Sequence, residues 1–183
     1  MARIKLLKRR FMSGELLIEN PSPQDAEELL LYLKQTHQET DFLLREPEEL
    51  EDMNREQEEE FIEKMNESDC NLFIVARKDG KIIGNLGFTG STLNRYCHQG
   101  EFGMSVLKEY WGQGIGSLLL DALLEWAEDR DITRISLRVD TENTKAIGLY
   151  QKFGFTKEGI LRRKKRLPDG EYRDEMVMAR LFE

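Results

Sequence analysis

A glycine-rich turn that leads directly into a long apolar helix constrains the fold of this chain more than any other feature. Residues 106–127 read VLKEYWGQGIGSLLLDALLEWA, with three glycines in five positions. From Ile115 onward, apolar residues recur at i, i+3, i+4, i+7 and i+8, which predicts a helix with one buried face. Before the turn, Phe102, Met104 and Val106 alternate with polar or small residues and predict a strand. A strand, a turn and a helix are therefore expected in direct succession.

The glycines of this turn indicate an anion site. Gly112, Gly114 and Gly116 carry no Cβ, so the backbone N–H groups around them are open to close approach. They lie where a helix begins, and a helix N-terminus has unpaired donors and a partial positive charge that favour phosphate. The spacing is neither that of a P-loop nor the G-x-G-x-x-G of a dinucleotide site. A turn whose glycines serve only tight packing is the alternative.

Composition and charge narrow the class of protein. A chain of 183 residues with 39% hydrophobic and 34% charged residues is typical of one globular domain. Its net charge of −8 argues against general nucleic-acid binding and favours cationic partners. Cys70 and Cys97 have no metal-ligand spacing, and the basic start has no apolar run long enough for a leader or a membrane span. We therefore expect a cytoplasmic protein with no membrane partner.

Periodicity along the rest of the chain predicts a mixed sheet with helices on its faces. Residues 1–14 are expected to form a basic N-terminal extension, and residues 15–183 a single domain. Strands are expected at 15–19, 71–77, 81–89, 100–106, 133–139, 155–166 and 172–181, and helices at 22–38, at 115–127 and at 143–153. One or two further helices are expected in the acidic segment at 46–65, whose carboxylates form either a solvated face or a lid that gathers amines.

Two motifs together resemble the GNAT superfamily of acetyl-CoA-dependent N-acetyltransferases. One is Val106 followed by Trp111-Gly112-Gln113-Gly114-Ile115-Gly116, and the other is Asn143-x-x-Ala146-x-x-x-Tyr150-x-x-Phe153-Gly154-Phe155. The resemblance extends over residues 15–182 in the order of elements as well. Trp111 stands where the family usually has Gln or Arg. Residues 101–106 and 110–112 are most similar to the branch of ribosomal-protein N-terminal acetyltransferases and their relatives.

The resemblance implies a GNAT fold of the α/β (α+β) class. Its central sheet would be mixed, mostly antiparallel and twisted, with helices on both faces and a splay between strands 100–106 and 133–139. It implies acetyl-CoA as co-substrate and no metal, with backbone N–H groups of the turn on the pyrophosphate and backbone groups of one strand on the pantetheine arm. The expected cofactor-binding residues are Met104, Val106, Trp111, Gly112, Gln113, Gly114, Ile115, Gly116, Ser117 and Asn143.

Acetyl transfer to an amine also needs a base and an acid. Glu101 is the candidate base because it is the carboxylate on the strand that would carry the acetyl group. Tyr150 is the candidate acid that protonates the departing thiolate, by resemblance to the matching tyrosine of the family. Asn143 and Tyr150 are two helical turns apart and share one side of a helix. From the residues alone, Glu101 is equally a solvated strand residue, Tyr150 a core aromatic and Asn143 a plain N-cap.

The expected function is direct transfer of acetyl from acetyl-CoA to a primary amine, which is a small amine, an amino acid or a peptide N-terminus. A monomer and a homodimer both remain open. One alternative is a non-catalytic acyl-CoA-binding module that senses or scaffolds. The other is an RNA- or ribosome-binding protein that uses the basic run at 162–166, which the net acidity disfavours. That run is interpreted as solvated strand charges or as a contact for the CoA 3′-phosphate.

Overall fold

The structure is a computed structural model that describes residue 4, residues 7–11 and residues 14–182. Much of the predicted basic extension, namely residues 1–3, 5, 6, 12 and 13, lies outside the described residues, as does residue 183. None of the helices in the described part of the chain has both the length and the apolar content needed to cross a bilayer.

The described chain folds into one eight-stranded sheet with four α-helices. The strands are β1 (Leu7–Phe11), β2 (Gly14–Glu19), β3 (Asn71–Lys78), β4 (Lys81–Gly90), β5 (Gln99–Val106), β6 (Arg134–Asp140), β7 (Thr156–Arg166) and β8 (Tyr172–Leu181). The helices are α1 (Ala26–Glu39), α2 (Arg55–Glu67), α3 (Ile115–Glu128) and α4 (Thr144–Lys152), and short 3₁₀ turns lie at Pro23–Asp25, Pro47–Leu50 and Lys108–Tyr110. The strand order is β1-β2-β3-β4-β5-β6-β8-β7, and all neighbours are antiparallel except β5 and β6. The predicted mixed, mostly antiparallel sheet is confirmed.

Helices cover both faces of this sheet. Ser105 of β5 bonds to Tyr32 of α1 on one face. Val106 is opposite Gly84 of β4, and a Cβ at Gly84 would lie 3.3 Å from Ile115 of α3. Successive residues of a strand point to opposite faces, so α1 and α3 pack on opposite sides of the sheet. Each helix buries its apolar stripe there, as the periodicity predicted.

Strands β5 and β6 separate soon after they meet. They pair in parallel at only three positions, from Gln99–Arg134 to Glu101–Ser136. Strand β5 stays paired to β4 as far as Val106, whereas β6 stays paired to β8 as far as Asp140. A V-shaped opening therefore begins after Glu101, which we call the splay. This feature of the predicted fold is confirmed.

One strand was not anticipated from the sequence. Strand β1 pairs antiparallel with β2 at the edge of the sheet, from Leu7–Ile18 to Phe11–Gly14. Its sequence LKRRF is short and basic, which is typical of edge strands that avoid pairing with other molecules. Because its apolar positions do not alternate over four or more residues, the pattern that identifies a half-buried strand is missing.

Arg77 of β3 fixes the start of α1 against the sheet. Its guanidinium contacts Glu19 at 3.0 Å, Asp25 at 2.8 Å and Glu28 at 2.6 Å, and donates to the carbonyl of Gly80 at 2.9 Å. Only 12% of the Arg77 side chain is exposed. Four separate segments are therefore joined through one buried cation, so that loss of the cation leaves three carboxylates without their partner.

We expect Arg77→Ala to lower the free energy of unfolding by about 2–4 kcal/mol, since it removes the cation that three partly shielded carboxylates share. Urea denaturation followed by circular dichroism measures this. The matched control is Arg55→Ala, because Arg55 makes an exposed i,i+4 pair with Glu59 and should leave stability close to that of the wild type. Equal effects of the two substitutions would contradict this role for Arg77.

Candidate functional site

The turn before α3 carries a row of backbone amides without partners. Gly112 and Gly114 have φ angles of 73° and 89°, in the left-handed region that favours glycine. The first bond of the helix runs from the Leu118 N–H to the Gly114 carbonyl at 3.1 Å, and no side chain caps the helix. Within the described residues, no acceptor meets the N–H groups of residues 114–117. These four donors, which we call the amide row, are available to an anion.

Two residues of the turn have structural partners of their own. The Trp111 indole donates to the Val106 carbonyl at 2.7 Å, which ties the turn to the end of β5. The Gln113 N–H donates to the Tyr110 carbonyl at 3.4 Å, and its side-chain amide donates to the Glu109 carbonyl at 2.7 Å. The amide row therefore begins after Gln113, at Gly114.

One edge of β5 opens into the splay. The Leu107 N–H donates to the Ile83 carbonyl at 3.0 Å, on the side of β4. Because alternate N–H groups of a strand point to opposite neighbours, those of Met104 and Val106 point away from β4. Strand β6 has diverged at this level, so these two N–H groups face the splay. An extended ligand can bond to them as an added strand would.

The amide row and the open edge of β5 belong to one cleft. A Cβ at Gly116 would lie 3.0 Å from Cδ2 of Leu149 and 3.4 Å from Cε of Met104. The first turn of α3 thus touches both β5 and α4, and glycine permits this close approach. Positions 112 and 114 differ, since a Cβ there would meet no atom within 4 Å. Space beside the turn is therefore open at positions 112 and 114 and filled by packing at position 116.

Tyr150 of α4 presents its hydroxyl from a buried ring. Only 6% of the residue is exposed, and its ring packs edge-on against Phe102 and Phe155. The hydroxyl has no hydrogen-bond partner among the described residues. It is also not among the fully enclosed side-chain atoms that lack a hydrogen bond there, which belong to Asn66, Trp126 and Asp140. It therefore reaches solvent. Burial raises the pKa of Tyr150 above its ordinary value, which keeps the phenol protonated into alkaline solution.

Asn143 caps the helix that carries Tyr150. Its side-chain oxygen accepts from the Ala146 N–H at 3.2 Å, as an N-cap does. The side chain is half-buried at the start of α4. The N-cap interpretation describes what is observed, and the ligand-binding role predicted for Asn143 stays a prediction.

Glu101 lies at the apex of the splay, in the last pair that β5 forms with β6. Its carboxylate is about half exposed and accepts from the Arg138 guanidinium at 3.3 Å. It borders an open groove of about 400 Å³. The groove is lined by Thr89, Gly90, Ser91, Leu93, Tyr96, Gln99, Gly100, Glu101 and Ser136. Glu101 is thus accessible both from this groove and from the splay.

Sequence reasoning missed a buried ion cluster at the far end of β6. The Asp140 side chain is 2% exposed, and its Oδ2 lies 3.3 Å from Nζ of Lys165 and 3.7 Å from Nη1 of Arg173. Lys165 also donates to the Asp41 carbonyl at 2.5 Å, which holds the segment after α1 near β7. The interpretation of the basic run 162–166 as solvated charge is therefore wrong for Lys165. Only the strand order β6-β8-β7 brings these residues together, so no local pattern could have revealed them.

The sequence matches the family model described as Acetyltransferase (GNAT) family over residues 30–155. It is 34% identical over 109 residues to the L-amino acid N-acetyltransferase AaaT of Escherichia coli, a match that covers 59% of this chain and 67% of that protein. It is 34% identical over 96 residues to human N-acetyltransferase 8B, which covers 50% of this chain and 42% of the human protein. The matched region thus spans less than half of the human relative.

Solved structures share the fold along nearly the whole chain. An acetyltransferase of the GNAT family from Streptococcus pneumoniae superposes with a TM-score of 0.86 at 36% identity, covering 91% of this chain and 99% of that one. YncA from Salmonella typhimurium, whose structure contains its cofactor acetyl-CoA, superposes with a TM-score of 0.79 at 15% identity, covering 92% and 94%.

Alkaline titration of tyrosinate absorbance tests the environment of Tyr150. An ordinary phenol is half ionised near pH 10, whereas burial should keep Tyr150 neutral there. We expect the wild type and Tyr150→Phe to differ at pH 10 by much less than half of one tyrosinate equivalent. A difference of half an equivalent would show that the phenol is not shielded.

Proposed function

Because the chain belongs to the acetyltransferase (GNAT) family, we propose that it is an N-acetyltransferase that moves acetyl from acetyl-CoA directly to a primary amine. The observation that carries the proposal is the cleft in which the amide row and the open edge of β5 meet, with Glu101 at the apex of the splay and the Tyr150 ring packed on Phe102 of β5. The bound acetyl-CoA of the Salmonella relative supports the choice of donor. The acceptor is a small amine, an amino acid or a peptide N-terminus.

The amide row would hold the pyrophosphate of coenzyme A. Each charge-assisted hydrogen bond contributes roughly 1.5–3 kcal/mol, and the helix terminus adds about 0.3–2 kcal/mol. Gly114, Ile115, Gly116 and Ser117 supply these N–H groups, while Gly112 leaves space beside them. In this proposal Trp111 and Gln113 shape the turn, since their own donors are already bonded.

The pantetheine arm would lie along the open edge of β5. The N–H groups of Met104 and Val106 face this space, and the Val106 carbonyl is already occupied by the Trp111 indole. Val106 therefore contributes its N–H, and one of the two lone pairs of its carbonyl is already used. Coenzyme A supplies the activated acetyl thioester, and the Met104 N–H would stabilise the negative charge that develops on its carbonyl oxygen.

Proton movements would fall to Glu101 and Tyr150. An amine attacks only in its neutral form, so Glu101 would accept a proton from the acceptor directly or through water. The Tyr150 phenol is neutral at neutral pH, as an ordinary phenol is. It would protonate the departing thiolate and regain a proton as the product amine loses its own. The two groups lie on different elements, Glu101 on β5 and Tyr150 on α4, so proton removal and proton delivery occur at separate places.

Substitution of Gly114 by Val tests the amide row. We expect the affinity for CoA, measured by titration calorimetry, to fall at least about tenfold because the side chain would occupy the space of the phosphate. The matched control is Gly80→Val, since Gly80 has a similar φ of 85° and equally open surroundings in the β3–β4 turn. Gly80→Val introduces the same kind of backbone strain at a position away from the cleft. Unchanged affinity in Gly114→Val would exclude this phosphate site.

Removal of the Tyr150 hydroxyl tests the reaction itself. Release of thiol from acetyl-CoA is measured against a panel of amines and peptides, and Tyr150→Phe should lower kcat by about a hundredfold with little change in the KM for acetyl-CoA. Tyr172→Phe, on the exposed end of β8, is the control and should retain wild-type turnover. Equal turnover in Tyr150→Phe would remove its role as acid. Binding of acetyl-CoA without turnover by any acceptor would indicate the non-catalytic acyl-CoA-binding module instead.

A further inference from the structure

The ion pair of Arg138 with Glu101 is loose and exposed. It has a single N–O contact of 3.3 Å, and both side chains are nearly half exposed. Four residues earlier on β6, Arg134 makes two contacts of 2.6 Å with Glu158 and is far better satisfied. Within the described residues, the remaining N–H groups of Arg138 have no acceptor. Four of the five N–H donors of this guanidinium are therefore free to bind a ligand.

Both members of the pair lie at the mouth of the splay and on one face of the sheet. Glu101 is opposite Ser136, so the alternate residue Arg138 points to the same side as Glu101. The next β6 residue on this side, Asp140, is already neutralised by Lys165 and Arg173. Arg138 is thus the cation that an anionic group would meet on entering beside Glu101.

We propose, on the basis of the function proposed above, that the acceptor is a free α-amino acid whose carboxylate binds Arg138 while its amine binds Glu101. A single carbon atom separates the ammonium and carboxylate groups of such a molecule. It can therefore bind both groups at once after the Arg138–Glu101 contact opens. The planar guanidinium binds a carboxylate through two parallel hydrogen bonds, which the present single contact to Glu101 does not use. An exposed ion pair separates at little cost.

The groove beside Glu101 would receive the side chain of the amino acid. Leu93 and Tyr96 present exposed apolar surface there, next to the polar floor at Gln99 and Ser136. With its carboxylate on Arg138 and its side chain in the groove, the amino acid holds its amine at the apex of the splay. A peptide N-terminus and a polyamine lack the carboxylate beside the amine, so neither would give Arg138 an anionic partner.

Free amino acids and their amides separate recognition of the carboxylate from recognition of the amine. Thiol release is measured with leucine, leucinamide, phenylalanine and phenylalaninamide, using the wild type, Arg138→Gln, Arg138→Lys and the matched control Arg134→Gln. The wild type should favour each acid over its amide by about ten- to a hundredfold in kcat/KM. Because the amine of the amide loses its proton more readily, chemistry without carboxylate recognition would favour the amide.

The substitutions assign any such preference to one residue. Arg138→Gln should abolish it by raising the KM for the acid, with the KM values for the amide and for acetyl-CoA unchanged. Arg138→Lys should restore part of the preference, since it keeps the charge and loses the paired donors. Arg134→Gln should retain it in full. The inference is overturned if the wild type uses amides as well as acids, or if Arg138→Gln weakens both equally.

A binding measurement separates this inference from the proposed function. Leucine and leucinamide are titrated into the protein saturated with CoA. If no amine releases thiol, the proposed function fails, and Arg138-dependent binding of leucine over leucinamide would still support carboxylate recognition. Turnover of amides and peptides without any preference for acids would leave the proposed function intact and overturn the role of Arg138.

Discussion

The separation of β5 from β6 after a three-residue ladder is the constraint on which the rest of the molecule depends. A sheet normally pairs the N–H groups of its inner strands, and here the central pair gives up that pairing beyond Glu101. Unpaired backbone N–H groups are destabilising unless water or another polar chain bonds to them in place of the missing strand. Pairing on the outer sides keeps the two strands apart. Strand β5 is paired with β4 as far as Val106, and β6 is paired with β8 as far as Asp140.

Local patterns accounted for most of the fold and for part of the site. The glycines at 112 and 114 and the 3.6-residue period after them predicted the turn and α3, because these features depend on neighbours in the chain. Asn143 and Gly154 likewise mark the beginning and end of α4. The splay itself came from the family resemblance, since no sequence period reports where a paired strand stops pairing. The catalytic and binding roles of the individual residues remain predictions.

Contacts between distant strands could not be predicted in the same way. The pairing of Arg138 with Glu101, and that of Lys165 with Asp140, depends on the strand order and on which residues share a rung of the sheet. Charged residues on strands look alike in sequence whether they point to water or to a buried partner. Strand β1 was missed for a related reason, because a basic edge strand lacks the alternation of a half-buried one.

The hydrogen bond from the Trp111 indole to the Val106 carbonyl places one of the two tryptophans at the end of β5, beside the cleft. The other, Trp126, lies in the core against Phe88. Indole emission depends on the polarity around the ring, so the two tryptophans report on different regions of the molecule. Trp111 is consequently a natural fluorophore for the cleft, and Trp126 an internal reference whose surroundings stay constant while the protein remains folded.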